Sequence, residues 1–252
     1  MRRFGVVVHK IVHKKYVSSV YSSHNTTSMP KHTIQYLQNH DADNSADSYY
    51  ALVRNDVLAL LPPNTRCLLD VGCSNGATAA TAKEKHGVEI AVGIELFPEA
   101  AAIARTRLDT VIEGNIEEMN LPFDDGYFDA IFCADVLEHL QNPWQALVKL
   151  RRVLAPNGVV IASIPHIGHA TSVFKILFDR FEYEEYGILD KTHLRFFTLH
   201  TIKKMFDDAG FRIEEVCEMR SRSWKFALLR IATLGLFPRL AVYQYLVRAK
   251  QK

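Results

Sequence analysis

The fold of this chain is set by one segment, Leu68-Leu69-Asp70-Val71-Gly72-Cys73-Ser74-Asn75-Gly76. The apolar run before Gly72 predicts a buried strand, and the alanine-rich residues 77–85 predict a helix. Gly72 and Gly76 let the backbone turn tightly and approach a ligand closely. The loop is neither a dinucleotide fingerprint nor a P-loop, because it lacks G-x-G-x-x-G and Gly-Lys-Ser/Thr. Asp70, at the predicted end of the strand, suits a cationic ligand.

Strand and helix patterns alternate along the rest of the chain. The strands are nearly continuous apolar runs, which is typical of a parallel sheet covered by helices on both faces. The sequence therefore predicts an α/β fold. Strands are expected at 66–71, 88–94, 110–113, 128–134, 159–164, 211–219 and 241–248, and helices at 49–61, 77–85, 98–107, 144–154 and 199–209.

Composition excludes several classes of protein. The four cysteines form no CxxC pair, so neither a zinc finger nor a secreted disulfide framework is expected, and a reducing, cytoplasmic setting fits best. A net charge of +2 gives no strong signal for nucleic acid. The apolar run 4–8 is too short for a membrane span. No signal for an oligomeric state is present.

Glu95 closes the second predicted strand and lies about 20 residues beyond the glycine loop. An acid at this spacing commonly accepts from both hydroxyls of a ribose. The loop and this acid resemble the class I S-adenosylmethionine-dependent methyltransferases, and so do the segments 114–123, 128–139 and 150–158. The resemblance covers about residues 49–248.

The resemblance implies a Rossmann-like, seven-stranded, mostly parallel sheet whose last strand is antiparallel, with S-adenosyl-L-methionine as cofactor. Two positions depart from the family pattern. Ser74 stands where many members have a second loop glycine, and Asn115 stands where many have Asp. The Asn115 side-chain carbonyl can still accept from the adenine amino group. The implied cofactor-binding residues are Asp70, Gly72, Cys73, Ser74, Gly76, Glu95, Leu96, Asn115, Ile116, Ala134 and Asp135.

The chain divides into two parts by composition. Residues 1–40 carry six basic residues and no Asp or Glu, so 1–44 is predicted to be a basic, disordered N-terminal extension. A transit peptide for organellar targeting and a true start at Met29 are the alternatives. Residues 45–252 form the methyltransferase domain. Within it, 165–197 interrupts the alternation after strand five, at the sheet edge where a substrate lid is expected.

Oxygen is the favoured methyl acceptor, by elimination. Ala134-Asp135-Val136-Leu137 replaces the Asn/Asp-Pro-Pro-aromatic sequence of enzymes that methylate base amino groups. No cysteine pair suggests covalent base methylation. A hydroxyl usually needs a base, for which histidine is suited. His139, His169 and His193 are the candidates.

The predicted lid contains an Asp-x-Thr-His-x-Arg-Phe-Phe sequence starting at Asp190. It resembles a subgroup of small, mostly uncharacterised methyltransferases, many associated with polysaccharide or secondary-metabolite assembly. Asp190 is expected to orient His193, and Arg195 to hold an anionic acceptor or pair with Asp190. A lid fastened by an Asp–Arg pair is the purely structural alternative. His166 and Tyr50 are further candidates for contact with the acceptor.

Asp135-x-x-Glu138-His139 resembles the metal-associated Glu-x-x-Glu-His of some ubiquinone-pathway O-methyltransferases. The simpler interpretation is that these residues begin a helix at the pocket edge, with no metal.

The sequence leaves three functions open. The first is O-methylation of a sugar, phenolic or carboxylic metabolite. The second is methylation of RNA or protein, supported by the basic N-terminal segment. The third is a cofactor-binding subunit without activity. Residues 224–237 are too short and too interrupted by Arg230 to span a bilayer, but they suit peripheral contact with a membrane.

Overall fold

One sheet of seven strands runs through the part of the chain that the computed structural model describes, residues 53–221 and 235–252. The strand order is β3-β2-β1-β4-β5-β7-β6. The strands are β1 (Cys67–Val71), β2 (Ile90–Glu95), β3 (Thr110–Glu113), β4 (Phe128–Ala134), β5 (Leu154–Pro165), β6 (Phe211–Arg220) and β7 (Val242–Gln251).

The first five strands pair in parallel, and β7 lies antiparallel to both β5 and β6. This confirms the predicted mostly parallel sheet with an antiparallel last strand. The chain order reverses between β1 and β4, since β2 and β3 lie on one side of β1 and β5 lies beyond β4. Ligands of open α/β sheets bind at such a switch point, outside the carboxyl ends of the strands.

Helices cover both faces of the sheet. On one face, the short α1 (Asn55–Leu58) packs with α2 (Ala77–His86) and α3 (Pro98–Ala104). Buried alanines in α2 and α3 let these helices lie close to the strands. On the other face, α4 (Pro143–Val153) and α6 (Leu199–Asp208) bury amphipathic faces that contain leucine, valine, isoleucine and phenylalanine. The two apolar layers hold the carboxyl edge in place.

The lid predicted at 165–197 contains a helix, α5 (Ala170–Leu177). An isolated bridge joins His166 to Phe197, so the two ends of the segment lie side by side. The backbone N–H groups of Leu194 and Arg195 donate to the carbonyl of Glu138 at 2.9 and 3.0 Å. The segment therefore folds back over the turn that follows β4.

Strand β5 begins earlier than the sequence predicts, at Leu154 instead of residue 159. The turn expected at 156–158 lies inside the strand, where the pairing with β4 shifts register between Phe128 and Ala130. An irregularity in the ladder accommodates the proline and glycine without ending the strand.

Several predictions fall outside the described residues. These are the N-terminal extension 1–44, the start of the first helix at Tyr49, the contact residue Tyr50, and most of the segment 224–237. Within 53–221 and 235–252, no helix is long and apolar enough to cross a bilayer.

Candidate active site

The glycine loop after β1 adopts the left-handed conformations that its sequence permits. The φ angles of Gly72, Ser74 and Gly76 are +67°, +51° and +78°. The N–H groups of Gly72 and Cys73 donate to the Ile94 carbonyl at 2.8 and 3.1 Å, which fixes the loop to β2. Ser74 thus tolerates a backbone conformation that favours glycine, which accounts for the glycine common at this position in the family.

Cys73 contributes to the loop through its backbone. Its side chain is buried against β2, and a Cβ added at Gly93 would lie 2.5 Å from its Sγ atom. Burial raises the pKa of the Cys73 thiol, so the group stays neutral and acts as core packing.

Glu95 joins the loop to the end of β2. One carboxylate oxygen accepts from the Ser74 N–H at 2.8 Å, and the other accepts from the Phe97 N–H at 2.9 Å. Each oxygen keeps lone pairs that can accept from a ribose hydroxyl. Leu96 follows with 55 % of its surface exposed, as an apolar side chain open to a ligand would be.

Asp70 is buried at the end of β1, with 4 % of its surface exposed. Burial, together with the nearby Glu95 carboxylate, raises the pKa of Asp70 to about 7, and the Arg54 guanidinium opposes this shift. A buried acid that gains from a positive neighbour fits the ammonium and sulfonium charges of S-adenosylmethionine.

Asp135 links four parts of the chain at the end of β4. Its φ angle is +55°. One carboxylate oxygen accepts from the Ser163 hydroxyl at 3.0 Å and from the Gln244 amide, and the other pairs with Arg54. Arg54 also forms a bidentate pair with Asp56 at 2.9 and 2.8 Å. Sequence reasoning missed Arg54, Ser163 and Gln244 because they are distant in the chain and belong to no motif.

Asn115 shapes the turn that follows β3. Its side-chain carbonyl accepts from the Glu117 N–H at 2.9 Å, and its amide donates to Glu118 at 3.1 Å. The side-chain carbonyl of Asn115, which the sequence assigned to the adenine amino group, thus already accepts a hydrogen bond from the backbone. Lys149 holds the same turn by donating to the carbonyls of Ile116, Glu117 and Met119 at 2.7, 3.0 and 2.7 Å. Ile116 is buried, and no sequence signal singled out Lys149.

Asp190 orients His139 through Thr192. The Thr192 hydroxyl donates to Asp190 at 2.6 Å, so its oxygen accepts from Nδ1 of His139 at 3.1 Å. The Thr192 carbonyl also faces this Nδ1, at 3.2 Å. Nδ1 of His139 therefore carries the proton and Nε2 carries the lone pair. Burial, followed by the neighbouring His193, lowers the pKa of His139 to about 4, so this ring is neutral at pH 7.

His193 has a different partner from the one expected. Its Nδ1 donates to the Ile188 carbonyl at 3.0 Å, while the Asp190 carboxylate accepts from Thr192. The rings of His193 and His139 lie 4.7 Å apart. Arg195 donates to the carbonyl of Gln141 and does not pair with Asp190 among the described contacts.

Glu138 lies beside these two rings with 1 % of its surface exposed. Within residues 53–221 and 235–252, neither carboxylate oxygen has a hydrogen-bond partner. Burial, and then the Asp135 charge, raises the pKa of Glu138 well above its usual value. One oxygen of Glu138 and one nitrogen each of His139 and His193 lie within 4.8 Å of one another. The structure thus groups His193, from the lid, with two members of the metal alternative.

His169 and His166 lie at the start of the segment 165–197 and contact other parts of the chain. His169 is the N-cap of α5, and its Nδ1 accepts from the Thr171 N–H at 3.4 Å. Nε2 is then the protonated nitrogen, 3.4 Å from the Ser221 hydroxyl. His166 is buried, with its ring 4.9 Å from that of Tyr245. A shallow cleft in the same segment is lined by Phe174, Lys175, Phe178 and Arg180.

Known proteins resemble this chain in sequence. Residues 44–216 match the family model described as "Methyltransferase domain". Norajmaline N-methyltransferase of Rauvolfia serpentina is 32 % identical over 39 % of this chain and 36 % of its own length. A ubiquinone biosynthesis O-methyltransferase of Rickettsia typhi is 27 % identical over 64 % of this chain and 67 % of its own length. The first of these matches spans little more than a third of the relative.

Solved structures share the fold. An S-adenosylmethionine-dependent methyltransferase from Archaeoglobus fulgidus superposes with a TM-score of 0.59, at 17 % identity, over 86 % of this chain and 99 % of that one. The family match covers more than half of the chain, and the loop, Asp70 and Glu95 fit the cofactor. The chain therefore belongs to the methyltransferase domain family, and its cofactor is S-adenosyl-L-methionine.

Proposed function

We propose that this chain transfers the methyl group of S-adenosylmethionine to an oxygen atom of a small molecule. The bound cofactor supplies a methyl group on a positively charged sulfur, open to in-line displacement. The protein must then align the acceptor and accommodate the proton that its hydroxyl loses. The observation that carries the proposal is the pair of imidazoles, His139 and His193, next to the carboxyl end of β4.

Both rings are arranged to accept a proton. Each donates its Nδ1–H to a backbone carbonyl, which leaves the lone pair on Nε2. His169 is less suited, since its Nδ1 lone pair already accepts from the Thr171 N–H. We therefore assign acceptor deprotonation to the His139–His193 pair, with Asp190 and Thr192 as positioning residues for His139.

The segment 165–197 acts as the lid over the acceptor. Its ends meet at the bridge between His166 and Phe197, and the Glu138 carbonyl holds it against the turn after β4. Phe174, Lys175, Phe178 and Arg180 line a shallow cleft in this segment, where Lys175 pairs with Glu184. The proposed acceptor classes are sugars, phenols and carboxylic metabolites, which the assay below separates. All four cysteines are free, which supports a reducing compartment such as the cytosol.

A panel assay tests the proposal. S-adenosylhomocysteine formation is followed with the full chain and four acceptor classes: phenols, hydroxy acids, sugars and amines. Turnover with a hydroxyl compound, and its loss in His139→Ala and His193→Ala, is the expected result. Turnover confined to amines, RNA or protein would overturn oxygen as the acceptor. Cofactor binding without turnover on any class would favour the non-catalytic subunit.

A further inference from the structure

The buried Glu138 carboxylate has no hydrogen-bond partner within the described part of the chain. Placing such a group away from water without a partner is unfavourable, because its hydration is lost and nothing replaces it. The proposed proton transfer uses the imidazoles and assigns Glu138 no role. A ligand that binds carboxylate oxygen would account for its position.

Two imidazoles beside this carboxylate point to the kind of ligand. Glu138, His139 and His193 each offer one atom, and these atoms lie within 4.8 Å of one another. Histidines that bind metal usually donate the other ring N–H to a carbonyl or carboxylate, which fixes the tautomer. His139 does so toward the Thr192 carbonyl and His193 toward the Ile188 carbonyl.

We propose that Glu138, His139 and His193 bind one divalent metal ion of the zinc class. Two imidazoles and one carboxylate are a ligand set found in catalytic zinc and non-haem iron sites, which keep at least one position open. Magnesium and calcium are disfavoured because they prefer oxygen ligands. Asp135 is not a ligand, since Arg54, Ser163 and Gln244 occupy its carboxylate.

The ion would connect two parts of the site. His193 belongs to the lid, whereas Glu138 and His139 lie in the 3₁₀ turn after β4. With both Nε2 lone pairs on the ion, the imidazoles would act as ligands and not as bases. An acceptor hydroxyl bound at the open position would then lose its proton to solvent more readily because of the positive charge of the ion. This consequence rests on the proposed function, but ion binding itself does not.

Ion binding is measured on the full chain after chelator dialysis, by calorimetric titration with Zn²⁺ and by the visible spectrum of added Co²⁺. One ion per chain is expected. Glu138→Gln and His193→Ala should each weaken binding at least about 100-fold, whereas Thr192→Val, which removes the hydroxyl between His139 and Asp190, should weaken it about 10-fold. His200→Ala, an exposed histidine on α6, is the matched control and should bind as the wild type does.

S-adenosylmethionine affinity is measured on every variant, because an unchanged value shows that the domain is folded. Zn²⁺ binding that Glu138→Gln and His193→Ala leave unchanged would overturn the proposal, as would the absence of a one-to-one complex in the wild type. Full turnover by the metal-free chain would exclude the ion from the reaction and leave the imidazoles as bases. Failure of the proposed function has a different result, namely no product from any hydroxyl compound with or without Zn²⁺.

Discussion

The protonation state of Asp70 should make the affinity for the positively charged cofactor depend on pH. Burial and Glu95 raise its pKa to about 7, while Arg54 acts in the opposite direction. Only the ionised carboxylate attracts a cation, so S-adenosylmethionine affinity should rise about tenfold between pH 6 and pH 8. Asp70→Asn should remove this dependence and bind as the protonated wild type does. Titration of the cofactor at both pH values measures it, with Asp124→Asn, an exposed acid, as control.

The raised pKa of Asp70 should also affect the stability of the cofactor-free protein. Because the pKa of Asp70 is higher in the folded state than in the unfolded state, the folded state binds more protons between about pH 4 and pH 7. This group therefore destabilises the fold as pH rises through that window. Asp70→Asn should raise the melting temperature more at pH 8 than at pH 5. An equal change at both values would contradict the assigned pKa.

Thr192 tests whether Asp190 acts on His139. The Thr192 hydroxyl donates to Asp190 and accepts from His139, and valine has the same shape without these bonds. Thr192→Val should lower kcat about tenfold at an unchanged KM for the cofactor, because the ring loses its link to Asp190 and keeps only the bond to the backbone carbonyl of residue 192. Thr192→Ser keeps the hydroxyl and should retain most of the rate. Equal losses in both variants would assign the residue to packing alone.

At the scale of the helix, His169 acts as a cap. It lies at the N-terminus of α5, where its Nδ1 accepts from a backbone N–H. Asparagine caps helices well and lacks an imidazole, so His169→Asn should keep turnover within about threefold. His169→Ala should cost about 1 kcal/mol of stability through the lost cap. Chemical denaturation and initial rates measure the two effects, and a collapse of kcat in His169→Asn would restore this residue as the base.

Strands and helices with a regular hydrophobic pattern were predictable, because the apolar positions in the sequence are those that the fold buries. The bounds of β3 and β4 are those that the sequence predicts. The start of β5 was not predictable, because Pro156 and Gly158 have the local signature of a turn, while pairing with β4 and β7 continues the strand. Helix α5 was not predicted separately, because it is only eight residues long and lies in a segment rich in aromatic residues, histidine and charge.

At the scale of the whole molecule, local motifs predicted the glycine turn after β1 but not the contacts around it. Gly72, Glu95 and Asp70 lie close to strand ends, where the topology of a parallel sheet brings them together. The partners of Asp135 come from the residue before α1, from β5 and from β7, and only the folded chain brings them together. The same holds for Asp190, whose carboxylate binds Thr192 where spacing alone suggested His193.

Removal of the basic N-terminal segment should distinguish small-molecule methylation from RNA methylation. The groups predicted to hold the cofactor lie between Asp70 and Asp135, so a chain starting at Met29 should bind S-adenosylmethionine within about twofold of the full chain. Turnover on a small hydroxyl compound should also be unchanged.

If RNA is the acceptor, the full chain should bind it with an affinity that falls steeply between 50 and 200 mM salt, because contacts between basic residues and phosphates release counterions. The shortened chain should then lose most of that binding, since residues 1–28 hold five of the six basic residues of the first 40. Salt-dependent RNA binding with turnover that disappears on truncation would therefore replace the small-molecule proposal, whereas unchanged rates in both chains would support it.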